Sequence, residues 1–164
     1  MIYQLISLEK CRDNSPELIL DDFSSGSEAV YVLENPGCIE VVYCCPDELR
    51  GEEPRCDYLL YIQKRNLVKF VELKGADSSG SGHSCCSTSW EHGFHQLEAT
   101  YWAYRSLLDE KDVKHFVLST VLPRERINAR YKRYARYMRL REMAQGNVSI
   151  LGRDEWDELP MVQG

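Results

Sequence analysis

The sequence of 164 residues contains no apolar run near the roughly 18 residues that a membrane-spanning helix requires. The first residues, 1–6, also lack the basic stretch followed by a long apolar stretch that marks a signal peptide. No internal repeat is visible. These absences predict one soluble domain over residues 1–164, with a cytoplasmic location and no membrane partner.

Cys-x-x-Cys spacing is absent too, although the chain has seven cysteines. The number is odd, and the chain is long enough to fold without disulfide bonds, so reduced thiols are predicted. One group of metal-binding residue types is nevertheless dense, and its members are His83, Cys85, Cys86, His92 and His95. Adjacent cysteines rarely bind one tetrahedral ion together, so a zinc, cluster or redox site here is an alternative and not the main prediction.

Charge is distributed unevenly along the chain. The net charge is −6, but residues 124–141 carry eight Arg or Lys and one Glu. The strongly basic stretch, called the basic segment below, contrasts with an acidic remainder. A helix over 124–144 is predicted, with Ile127, Tyr131 and Met138 on its core-facing side.

Two apolar runs of strand length flank the polar turn Lys64-Arg65-Asn66, and together residues 56–74 predict a β-hairpin. Folding the hairpin about residue 65 sets Asp57 opposite the Glu72/Leu73 region. Because side chains alternate along a strand, Glu72 and Lys74 project from the same face. The sequence therefore places two carboxylates and an ammonium at one end of a hairpin, a combination that suits a hard divalent cation and a water beside it.

Other segments were assigned from periodicity and turn signals. Residues 2–8 are weakly strand-like and 16–23 are ambiguous. Helices are expected from about residue 24 to Glu34 and from Trp90 to Leu108, a charged loop at 46–54 and a mobile loop at 77–88. Further strands are expected over 38–45, 115–122 and 148–151. The order predicts an α/β fold with a central mixed β-sheet and helices on both faces.

These elements resemble the PD-(D/E)XK nuclease superfamily, whose fold is restriction-endonuclease-like. The resemblance rests on Asp57, on Glu72-Leu73-Lys74-Gly75, and on Gln96 in the following predicted helix. It covers the region between residues 38 and 122, within a core of roughly 24–122. It implies that Asp57, Glu72 and the Leu73 carbonyl hold Mg²⁺, with Mn²⁺ as a substitute ion, that Lys74 positions or activates water, and that Gln96 supports the site.

The sequence departs from the superfamily pattern in identifiable places. Cys56, and not a proline, precedes Asp57, while a literal Pro46-Asp47 pair lies in the charged loop. The stretch between Lys74 and Gln96 is long, and the loop at 77–90 within it is predicted to close over the substrate. The acid that many members carry on their first helix is assigned to Glu28, with Glu34 as the alternate.

The resemblance implies a Mg²⁺-dependent nuclease that hydrolyses DNA, with RNA as the second choice. A catalytically inactive nucleic-acid- or protein-binding member of the same fold is the alternative, and a homodimer is left open. Basic side chains with an interleaved aromatic ring suit phosphate contact and base stacking. The predicted nucleic-acid contacts are Arg126, Arg130, Lys132, Arg133, Arg136 and Tyr137.

Overall fold

The computed structural model describes residues 11–21, 28–46, 55–74, 85–127 and 129–155, and the side chains of residues 11 and 85–89 are left aside. Within these residues the chain forms a six-stranded mixed sheet, a two-stranded antiparallel sheet and two α-helices. The α/β class is therefore confirmed. Residues 2–8, and most of the loops predicted at 46–54 and 77–88, lie outside the described residues.

The six-stranded sheet is built around a central antiparallel hairpin. In spatial order its strands are β1 (Cys11–Asp13), β4 (Val41–Cys44), β5 (Tyr58–Ile62), β6 (Leu67–Lys74), β7 (Val113–Thr120) and β8 (Val148–Leu151). The first three pairings are antiparallel, and β6–β7 and β7–β8 are parallel. The parallel pairs are connected by α1 (Cys85–Tyr104) and α2 (Ala135–Met143), as a crossover between parallel strands requires.

The predicted hairpin over residues 56–74 is confirmed. Tyr58 pairs with Val71 and Ile62 pairs with Leu67. The connecting 3₁₀ turn Gln63–Arg65 ends at Asn66, whose φ of 49° is left-handed. Asparagine tolerates this conformation better than most residues, so the turn fixes the register that the candidate site depends on.

The two faces of the sheet are covered differently. Phe70 belongs to the apolar cluster beneath α1, together with Phe94 and Phe116. Its neighbour Val71 faces the other way, into a cluster with residues of β2 (Glu17–Asp21) and β3 (Val30–Glu34). The prediction of helices on both faces is therefore wrong among the described residues, because a two-stranded sheet covers the second face.

The expected helix ending at Glu34 is also wrong over its described part. Residues Val30–Glu34 are strand β3, which pairs with β2. The run Val-Tyr-Val-Leu is rich in β-branched and aromatic residues, and these favour a pleated, half-buried surface over a helix. Glu28 consequently lies in irregular chain before a strand and is exposed.

The long helix predicted for residues 124–144 is replaced by two 3₁₀ turns, Arg124–Arg126 and Ala129–Arg133, followed by α2. Tyr131 stacks on Trp90, with ring centroids 5.6 Å apart and planes inclined by 9°. The extended backbone of Tyr134 interrupts any continuous helix before α2. This packing overrides local helix propensity, and Met138, expected in the core, is 59% exposed.

The helix expected from residue 90 begins earlier, so the loop predicted over 77–88 is wrong for its last four residues. Residues 85–88 form the first turn of α1, and the 3₁₀ turn Arg105–Leu107 extends the same path. Among the described residues, no helix is long and apolar enough to cross a membrane.

Candidate active site

The carboxyl end of β6 carries an acidic and a basic side chain, Glu72 and Lys74, that the sequence predicts to lie together. Glu72 and Lys74 lie on the face of the sheet that α1 covers, and their side chains form an ion pair of 2.6 Å between Nζ and Oε1. The Glu72 side chain is 2% exposed and that of Lys74 is 19% exposed. The pair is therefore largely removed from water. In this buried environment the attraction between the two charges is strong, but their desolvation is costly.

Asp57 lies immediately before β5, next to the last residues of β6. Its Oδ2 accepts a hydrogen bond of 2.7 Å from the backbone N–H of Leu73. The hairpin register places Asp57 across from Glu72, one position beyond the Tyr58–Val71 pair. The two carboxylates are near enough for the charge of Asp57 to raise the pKa of Glu72.

Gln96 connects the β6 pair to helix α1. Its Oε1 accepts a hydrogen bond of 2.6 Å from Lys74 Nζ, and its Nε2 donates to the Arg55 carbonyl at 3.0 Å. One helical turn later, Thr100 Oγ1 donates to the Gln96 carbonyl and accepts a bond from the backbone N–H of Cys56. Helix α1 is thus hydrogen-bonded to the segment just before β5, which contains Asp57, as well as to Lys74 of β6.

Glu72 has an unusual electrostatic environment for a carboxylate. Burial, followed by the charge of Asp57, raises its pKa well above the ordinary value, and Lys74 offsets only part of this effect. One carboxylate oxygen, Oε2, is buried and has no hydrogen-bond partner among the described residues. Buried unpaired polar atoms are uncommon in native proteins, and an ion bound beside Glu72 would satisfy this one.

The oxygen ligands present suit a hard divalent cation. Mg²⁺ is typically bound by one or two carboxylates and keeps several waters, so Asp57 and Glu72 with the Leu73 carbonyl are a sufficient set. No group of three or more His, Cys, Asp or Glu side chains that could hold a metal ion is found in the part of the chain that the structure describes. Glu28 accordingly does not join the two carboxylates, because it precedes β3 on the opposite face of the sheet.

Gly93 is a residue of this region that the sequence reasoning missed. A Cβ atom at this position would lie 2.6 Å from Leu118 Cδ1, 3.2 Å from Lys74 Cε and 3.6 Å from Glu72 Cγ. A side chain at position 93 would therefore require Leu118, and to a smaller extent Lys74, to move. A glycine inside a helical pattern, three residues before Gln96, was the available signal, because glycine costs about 1 kcal/mol relative to alanine there.

His92, to which the sequence assigns no specific role, lies near Lys74. Its pKa is lowered by partial burial and then by the positive charges of Lys74, His95 and Arg136. Arg136 belongs to α2, and its guanidinium lies 3.8 Å from Glu91. His92 therefore lies close enough to Lys74 and to Arg136 of the basic segment for both positive charges to disfavour its protonation.

The predicted nucleic-acid contacts divide into two groups. Arg126, Arg130, Lys132 and Arg133 are exposed, and Arg136 is half-buried. Tyr137 is only 8% exposed, and its ring packs against Phe94 and Tyr131, with centroid separations of 5.6 and 5.1 Å. Stacking of a base on Tyr137 would require this aromatic packing to open, so the arginines and lysine form the accessible part of the surface.

The cysteine-rich alternative receives no support from the described residues. Cys38, Cys44, Cys45 and Cys56 are free thiols, and Cys44 and Cys56 are buried. The expectation of reduced thiols holds for these four. His83 lies outside the described residues, so the zinc or redox hypothesis for its loop stays a prediction.

No protein-family model, curated protein or solved structure matches this chain. The geometry of the residues themselves therefore carries the functional argument.

Replacing Glu72 by glutamine should stabilise the metal-free protein at neutral pH. The substitution removes a buried charge and retains an oxygen that accepts from Lys74. Because the folded-state pKa of Glu72 is raised, its ionisation costs stability as pH rises above about 4.5, and the advantage of the variant should vanish below that pH. Thermal unfolding in EDTA across this range measures the difference.

Glu98→Gln is the control, since Glu98 belongs to α1 and pairs with Arg139, whose side chain is 51% exposed. It should give no stabilisation. A Glu72→Gln variant that is less stable than wild type at neutral pH would contradict the inference that the buried Glu72 charge lowers the stability of the metal-free protein.

Proposed function

We propose that this protein is a Mg²⁺-dependent nuclease of the PD-(D/E)XK superfamily, with the restriction-endonuclease-like fold and DNA as its substrate. The observation that carries the proposal is the arrangement around Lys74. Its ammonium is held by Glu72 and Gln96 beside Asp57, and the second oxygen of Glu72 has no hydrogen-bond partner within the described part of the chain.

Asp57 and Glu72 would hold the ion with help from the Leu73 carbonyl. Mg²⁺ bound there would stabilise the negative charge that develops on the phosphate and lower the pKa of a bound water. The ion pair and the backbone hydrogen bond already fix both carboxylates, so little reorganisation is needed before substrate binds.

Lys74 is suited to position the attacking water. An ammonium has three donors, and two of them are directed to Glu72 and Gln96. The third can donate to a water or a phosphate oxygen. Hydrolysis forms a bond from the water oxygen to phosphorus and breaks the bond to the leaving alkoxide, so a fixed donor beside the phosphate stabilises charge where it accumulates.

The basic segment supports a polyanionic substrate. Helix α2 is attached to α1 by the Arg136–Glu91 and Arg139–Glu98 ion pairs, which keeps exposed arginines beside the helix that carries Gln96. The exposed Arg126, Arg130, Lys132 and Arg133 add positive charge to this side of the molecule. A nucleic-acid backbone is the polyanion that such a surface matches.

Lys74→Gln should reduce Mg²⁺-dependent DNA cleavage by at least about a hundredfold, because the variant loses a charged donor at the phosphate. Supercoiled and single-stranded DNA should both be incubated with protein and Mg²⁺, and products measured on gels. Lys114→Gln, a change of the same kind on β7, should cleave like wild type, and EDTA should stop both. Equal cleavage by Lys74→Gln and wild type, with unchanged circular dichroism, would reject the site.

Arg133→Gln combined with Arg136→Gln should weaken DNA binding and reduce the dependence of the binding constant on salt. Each phosphate contact contributes about 0.9 to the slope of log K against log salt, so the slope should fall by about 2. Fluorescence anisotropy over a salt series measures the slope. Arg12→Gln with Lys111→Gln removes the same charge elsewhere and should leave the slope unchanged; identical slopes for both double variants would show that the basic segment is structural.

A further inference from the structure

A cavity of about 510 Å³ lies at the opposite end of the sheet from Lys74. It is formed where β6, β7 and β8 begin, and its lining residues are Lys64, Arg65, Leu67, Val113, His115, Gly146, Asn147, Val148 and Ser149. Strand β6 runs from Leu67 at this cavity to Lys74 at the candidate active site, a distance of roughly 23 Å at about 3.3 Å per residue. The cavity is therefore a separate place in the fold, of a volume typical for small-molecule sites.

A chain of buried hydrogen bonds ends in this cavity. Lys69 is 3% exposed, and its ammonium donates to the Tyr31 hydroxyl at 2.9 Å. The same ammonium lies 3.2 Å from His115 Nδ1, and His115 Nε2 lies 2.7 Å from Ser149 Oγ. These contacts connect three neighbouring strands, β6, β7 and β8.

The directions of these bonds follow from the chemistry of the groups. An ammonium has no acceptor, so His115 Nδ1 accepts from Lys69, and Nε2 carries the proton that is donated to Ser149. The neutral form of His115 agrees with its pKa, which burial and then the Lys69 charge lower to about 3. The Ser149 hydroxyl is left to donate its own hydrogen, and the cavity is the open space beside it.

The walls of the cavity favour an anion that carries an apolar portion. Lys64 and Arg65 are cationic, and no aspartate or glutamate is among the described lining residues. Leu67, Val113 and Val148 supply apolar surface, and Val113 is 45% exposed. A ligand with one negative group and an apolar body would satisfy both kinds of surface.

The rim is formed before any ligand binds. The Asn66 carbonyl accepts a hydrogen bond of 2.7 Å from the backbone N–H of Val113, which ties the β5–β6 turn to β7. On the other side, the N–H of Gly146 donates to the Arg141 carbonyl at 2.7 Å, and Gly146 has a φ of 91°, which favours glycine. Both turns are held by the backbone, so the cavity does not depend on side-chain rearrangement.

We propose that this cavity binds a small organic anion, with a carboxylate or phosphate on the Ser149 hydroxyl and Lys64 and an apolar body against Val113 and Val148. The bound anion also counters the buried Lys69 ammonium through the His115–Ser149 chain. The site is independent of phosphodiester hydrolysis and does not rest on the proposed nuclease activity.

The test is isothermal titration calorimetry of the metal-free wild-type protein with phenyl phosphate, phenylacetate and benzyl alcohol. At least one anion should bind at a single site, the ratio of the two dissociation constants shows whether phosphate or carboxylate is preferred, and the uncharged alcohol should not bind. Ser149→Ala and Lys64→Gln should each weaken binding roughly tenfold, about 1.4 kcal/mol. Lys111→Gln, an exposed lysine outside the cavity, should bind like wild type.

Absence of saturable binding by both anions at millimolar concentration would overturn the proposal. Binding that survives both Ser149→Ala and Lys64→Gln would overturn it equally. Loss of binding in Lys74→Gln, with the cavity variants unaffected, would place the anion at the other end of β6 and reject this site while leaving the nuclease proposal open.

Discussion

The structure around the candidate site depends on the ion pair between Glu72 and Lys74 at the end of β6. Both side chains lie under helix α1, and Lys74 offsets only part of the cost of burying the Glu72 carboxylate beside Asp57. Gln96 provides the further bond that keeps Lys74 in place, and it is itself held by the Arg55 carbonyl. The remaining Glu72 oxygen is buried and has no hydrogen-bond partner among the described residues.

Helix α1 connects the site to the rest of the molecule. One side of the helix packs Phe94 into the aromatic cluster beneath it, and the turn at Gly93 lies directly against the β6 pair. Its exposed flank pairs with α2 through Arg136 and Arg139. Core packing, carboxylate geometry and the basic segment therefore share one element, so a shift of α1 would alter all three together.

The sequence predicted the local parts of this arrangement well. Strand alternation placed Glu72 and Lys74 on one face, and the polar turn ending at Asn66 fixed the hairpin, because both follow from short-range backbone geometry. Predictions that depended on distant packing failed. The basic segment has helical composition, but the Tyr131 ring stacks on Trp90, and the chain there forms a 3₁₀ turn followed by extended backbone at Tyr134. The sheet face opposite α1 is covered by the strand pair β2–β3, and not by a helix, since residues Val30–Glu34 are rich in β-branched and aromatic side chains. The close approach at Gly93 depends on where a helix lies over a sheet, which no local pattern contains.

The most direct test of the account is a calorimetric titration of Mg²⁺, and separately Mn²⁺, into wild-type protein, Glu72→Gln and Glu98→Gln. If Asp57 and Glu72 hold a cation, wild type and Glu98→Gln should bind one ion with the same affinity, and Glu72→Gln should lose it. Equal binding by all three proteins, or no binding by wild type, would contradict the central claim and reduce the Glu72–Lys74 pair to a structural ion pair.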